Sequence, residues 1–128
     1  MSKRAIVFAV LAAALAGSAW AHHNMSALFD FKDRVTLTGT LTKMDWRNPH
    51  ISVYVDAKMG DKVQPWSIEG PPPNFFRTRD INKVDVEQSI GKVVTAEVSR
   101  ARDGSNAGLL RTLMLADGKV VSACPQNC

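Results

Sequence analysis

This sequence has no phosphate-binding loop, no Cys/His zinc cluster and no Cys-x-x-Cys pair. A glycine-rich phosphate cradle, structural zinc and dithiol exchange therefore lack their residues. Lys and Arg are scattered, with no basic stripe beyond Arg77/Arg79 and Arg100/Arg102. That distribution argues against nucleic acid as a partner. Internal repeats and low-complexity linkers are absent, so the 128 residues suit one domain. Long hydrophobic runs are also missing, apart from Ala5 to Gly17. Those 13 residues fall short of the ~20 needed to span a bilayer.

The beginning of the chain has the pattern of an export signal. Ser2-Lys3-Arg4 is a short basic start, the apolar run follows, and Ala19-Trp20-Ala21 has the small-x-small form of a signal-peptidase site. The expected organisation is a cleaved signal over 1–21, a folded domain over 22–122 and a tail over 123–128. The expected location is the periplasm, with no membrane span after cleavage. Removal of Lys3 and Arg4 lowers the formal charge of +4 by two, so the mature domain is only mildly basic. Cysteine is limited to Cys124 and Cys128. Export permits a disulfide between them. A soft metal such as Cu(I) is the alternative for a Cys-x3-Cys pair.

The body of the domain reads as β-structure. From Arg34 to Trp46, Val35, Leu37, Gly39 and Leu41 alternate with Thr36, Thr38, Thr40 and Thr42. Strict alternation is the mark of a half-buried strand. Met44 and Trp46 then fall in the threonine register, so a bulge near Lys43 is expected. Gly39 in mid-strand suggests a bend or a close backbone approach. Asn48-Pro49 makes a turn, since proline fixes φ and keeps its predecessor out of the helical region. A second strand runs through Ile51, Val53 and Val55, and a third from Gln64 to Glu69. Gly70-Pro71-Pro72-Pro73 ends the third strand. Asn74 is placed to cap a short helix over Phe75 to Arg79, with Phe75 and Phe76 plugging one end of the fold. Val84 to Ile90 is either a helical turn or irregular. A fourth strand is expected over Val93 to Arg100 and a fifth over Leu109 to Leu115. Asp117-Gly118 then turns the chain into a short return strand at Val120-Val121. Three strands, a helical plug and two more strands give an all-β fold, a five-stranded OB-like small β-barrel. A small β-sandwich is the alternative.

His22-His23, Phe29-Asp30, Gly39-Thr40-Leu41, Trp46-x-Asn48-Pro49-His50 and Trp66-x-Ile68-Glu69-Gly70 with its prolines, together with Asp117-Gly118, carry a resemblance over nearly the whole mature chain. The sequence resembles a family of small exported bacterial proteins catalogued as a domain of unknown function. That resemblance implies a periplasmic barrel-like domain and brings no activity with it. The chain departs from the pattern at Arg77-Thr78-Arg79, where Arg followed closely by Gly is expected, and in its cysteine-containing tail.

His22, His23 and His50 are the only histidines. Cleavage after Ala21 would leave His22 with a free α-amine. An N-terminal histidine chelates through that amine and its own Nδ1, and a second imidazole completes the three-nitrogen set called a histidine brace. Nitrogen donors of this kind suit Cu(II). His50 is the expected third arm, because a turn at the barrel mouth holds it. His23 is the alternative, through the amine, a deprotonated amide and its imidazole. Met25 and Met44 are candidate thioether ligands, and Asp45 a candidate for orienting an imidazole. The competing reading is plainer: chain starts are often disordered, and His50 then does no more than bond its own turn. Trp46, Tyr54, Trp66 and Glu69 are candidates for a ligand-binding face, although aromatics of this kind also pack cores. Glu69 has no visible acid–base partner. The first expectation is therefore a non-catalytic periplasmic copper-binding domain for storage, delivery or sensing. The second is a metal-free module that binds a small molecule or another envelope protein. A copper-dependent oxidative enzyme comes third, because the chain offers little room for a flat substrate surface.

Overall fold

The computed structural model describes residues 25–124. Residues 25–28 are helical and lead directly into β1 (Phe29–Asp45). There follow β2 (Ser52–Met59), β3 (Lys62–Glu69), α1 (Pro73–Arg77), α2 (Lys83–Glu87), β4 (Val93–Ala101), β5 (Ala107–Met114) and β6 (Val120–Ser122).

β1 is long because it serves two neighbours. Its first half pairs antiparallel with β4, from Arg34↔Ser99 to Thr40↔Val93. Its second half pairs antiparallel with β2, from Gly39↔Ala57 to Asp45↔Ser52. β2 pairs with β3 and β4 with β5, both antiparallel. A parallel pairing of β3 with β5 completes a closed ring in the order β1-β2-β3-β5-β4. The expected OB-like order is therefore present, and two separate sheets are not. β6 extends the sheet beyond β5.

The threonine face of β1 is largely exposed, while Leu37 and Leu41 are fully buried. The register shifts between Leu41 and Lys43. That bulge returns Met44 and, beyond the strand end, Trp46 to the core side, where both pack against the buried cluster. Gly39 lies where the backbones converge. A Cβ there would stand 2.7 Å from Ala57 Cα and closer still to Asp56 O.

The core fills the ring with Leu37, Leu41, Val53, Val55, Ile68, Val94, Val98 and Leu113, all essentially inaccessible. Phe76 closes one end, fully buried, with its ring 5.3 Å from that of Trp46 and 5.3 Å from that of Phe75. The plug differs from expectation in its start. The helix begins at Pro73, Pro72 occupies the cap position without a side-chain cap, and Asn74 lies inside the helix. Proline at the first helical position has its φ preset and loses no hydrogen bond, so the prolines begin the helix before Asn74 can cap it. Between Ile81 and Ile90 the chain forms α2, whose start is fixed by Asp85 accepting the Asn82 N–H at 2.7 Å. Ser89 Oγ accepts the Ala116 N–H at 3.0 Å, and Lys119 lies 3.3 Å from Asp85. These contacts tie α2 to the β5–β6 turn.

β1 also starts earlier than the apolar alternation suggests. Residues Asp30 to Arg34 include no buried side chain. They remain extended because Arg102 holds the segment: its N–H donates to Leu28 O at 2.9 Å and its Nε to Ser26 O at 2.9 Å.

Candidate functional site

The functional geometry is concentrated where the β1–β2 turn meets the end of β3. The Gly70 N–H donates to Ile51 O at 2.9 Å, and the Ile51 N–H donates to Pro71 O at 3.2 Å. This clamp continues the β2–β3 ladder past Ser52↔Glu69 and aligns His50 with Glu69. A Cβ on Gly70 would approach Ile51 Cγ1 to 2.9 Å, so glycine permits the clamp. His50 Nδ1 stands 2.6 Å from Glu69 Oε1, with both side chains about one-third exposed. A carboxylate only accepts, so the hydrogen of this contact lies on Nδ1; in the neutral tautomer that leaves Nε2 as the acceptor nitrogen.

His50 opens onto a cavity of about 400 Å³ whose wall includes Met25, Phe31, Leu109, Leu110 and Arg111. Arg111 comes from a bulge in β5, where Val98 pairs with Leu110 but Glu97 with Thr112. Such an extra residue re-aims a side chain. The Arg111 side chain is buried, and Nη1 donates to Ser99 Oγ at 3.1 Å. Burial pushes its pKa down, and the nearby charge of Arg34 pushes the same way, against the attraction of Glu97.

The residues singled out from the sequence are distributed as follows. His22 and His23 lie outside the described residues. Met25 and His50 share the cavity wall. Asp45 is engaged elsewhere, 3.2 Å from Lys43 Nζ and accepting from Tyr54 Oη at 3.3 Å. The hydrogen bond from Lys43, with the charges of Lys43 and Arg47, holds its carboxyl below the ordinary range. The carboxylate beside the imidazole is Glu69. Met44 and Trp46 pack on the core. Trp66 is buried, with Arg100 over its ring at 5.9 Å and no partner for Nε1. Tyr54 lies on the outer side of β2 under Lys43, 5.1 Å from the ring centre. Trp66 and Tyr54 border one shallow depression, Trp46 lies against the plug, and Glu69 pairs with His50, which lines the cavity.

Cys124 also lines the cavity and is disulfide-bonded. Among the described residues, no three of His, Cys, Asp and Glu form a metal-binding group. No helix among them is long and apolar enough to cross a membrane. Sequence reasoning missed Arg111. The signal was a lone charge in the leucine-rich run Leu109-Leu110-Arg111-Thr112-Leu113.

The fold and this corner define a small all-β domain built as a closed five-stranded ring with a cavity beside a His–Glu pair. The chain belongs to a family of unknown function, DUF6152, which matches residues 9–111. No curated protein and no solved structure matches the chain.

Proposed function

We propose that the protein is an exported periplasmic domain that binds copper at the cavity mouth, with His50 as the imidazole arm and the mature chain start as the other. The observation that carries this reading is the pairing of His50 with Glu69 on a cavity whose wall also includes Met25. Met25 follows His22 by three residues. Three residues span at most ~11 Å, which limits how far the leading amine can lie from Met25, a residue that shares the cavity wall with His50. Glu69 fixes the ring orientation and leaves Nε2 for the ion, the usual way a carboxylate supports a ligating histidine. Copper(II) is favoured among divalent ions by amine and imidazole nitrogens. Met25 adds a thioether near the same place, a donor suited to the reduced ion. The basic start, apolar run and Ala-Trp-Ala site support export. The role read for such a site is storage, delivery or sensing.

Intact mass spectrometry of protein recovered from the periplasm should give a chain beginning at His22. Cu(II) titration of that protein should saturate at one ion, with a nitrogen-rich paramagnetic resonance spectrum. His50→Ala should weaken binding by at least about tenfold and change that spectrum. Equal affinity in the variant, or retention of any residue ahead of His22, overturns this reading.

A further inference from the structure

We propose that the cavity takes a small apolar molecule ending in a carboxylate, with Arg111 as its counter-charge. This stands apart from the copper reading, because it uses a different polar group and needs neither His22 nor a metal.

The cavity's size falls within the range of ligand pockets, ~300 Å³ upward. Phe31, Leu109 and Leu110 give its wall an apolar character that ionic or sugar-like molecules would not match. Arg111 stands in that wall at 6% exposure. Its Nη1 is used by Ser99 and its Nε faces Glu97 at a distant 3.8 Å. Nη2 is buried with no hydrogen-bond partner. Glu97 is also shared, lying 3.6 Å from Arg34. A buried cation with a spare donor and only a divided carboxylate is costly unless something else satisfies it. A ligand carboxylate supplies both the charge and the acceptor that the guanidinium lacks, and guanidinium–carboxylate bonds are the strong kind. A neutral ligand would satisfy the wall but not the charge. A cationic one would be repelled by Arg111. A polyanion would bring more charge than the single spare donor can meet and would leave the apolar wall unused.

The test compares three probes with one apolar body: decanoate, decanol and decyltrimethylammonium. Each is titrated below its micelle concentration into the mature protein, with a chelator present to exclude metal. Decanoate should bind at least about tenfold tighter than decanol, and the ammonium probe weakest. Amide shifts should centre on Leu109 and Leu110. Arg111→Met should erase the preference for decanoate over decanol, and Arg111→Lys should retain part of it. If neither variant folds, the wild-type ranking decides alone. The chelator keeps copper out of every titration, which separates this result from failure or success of copper binding. Equal affinities for decanoate and decanol, no binding by either, or shifts centred elsewhere overturn the proposal.

Discussion

At the scale of single residues, Gly39 and Glu69 make the clearest predictions. A methyl group at position 39 would meet the backbone of Asp56 and Ala57, not the flexible end of a side chain. That backbone cannot step aside without breaking the β1–β2 ladder. Gly39→Ala should therefore destabilise the fold by about 3 kcal/mol, read as a lower urea midpoint. This residue's role was visible in the sequence, because a glycine at an inward position of a Val-x-Leu-x-Gly-x-Leu strand marks a place with no room for a side chain. Glu69 was only half legible. Its place at a strand end was visible, but its partner depends on the Ser52↔Glu69 register, which no local spacing encodes. Glu69→Gln keeps the shape and removes the charge that orients His50. If copper binds as proposed, affinity should fall by about 10- to 100-fold, measured against a competing chelator. Arg111 was not anticipated, because its inward aim comes from a bulge set by how β4 and β5 align.

At the scale of elements, the two short helices do different work. α1 carries the plug, and Phe76 is fully buried between Trp46 and Phe75. Phe76→Ala should cost about 3–5 kcal/mol and shift the thermal midpoint accordingly. α2 is held by its first turn. The Asn82 backbone N–H, with help from Lys119, lowers the Asp85 pKa below its ordinary 3.8. A depressed folded-state pKa contributes stability that is complete above the unfolded value and disappears as pH falls through the folded one. Asp85→Asn should thus be less stable than wild type at pH 7. The two should converge under acid, below about pH 3.8, in denaturation curves taken across that range. The strands were legible where one face is wet, as along the threonines of β1. α2 was not, since five residues with one buried valine carry too little periodicity to separate a helix from a loop.

At the scale of the whole molecule, a ring follows from the order of elements only if the last long strand returns to the third. That return is a parallel contact between residues some forty positions apart in sequence, and sequence pattern alone does not distinguish it from an open sandwich. The long bent β1 was the useful hint, because a strand that turns a corner at a bulge can border both halves of a ring. The family match over residues 9–111 begins inside the apolar run, takes in the His-His pair and the Asn-Pro-His turn, and ends at Arg111. β6 and Cys124 lie beyond it.

The ring fastens through a short clasp. β3 and β5 meet only at Ser67–Ala107, Ile68–Gly108 and Glu69–Leu109, whereas β2 and β3 are laced along their full lengths. Two of the clasp residues, Glu69 and Leu109, are also those that border His50 and the cavity. An occupant of that space would act as a rivet through the weakest join in the band. Amide exchange at Ile68 and Leu109 should then slow more on loading than exchange anywhere along β2, and the molecule's hold on its cargo and its hold on its own shape would rise and fall together.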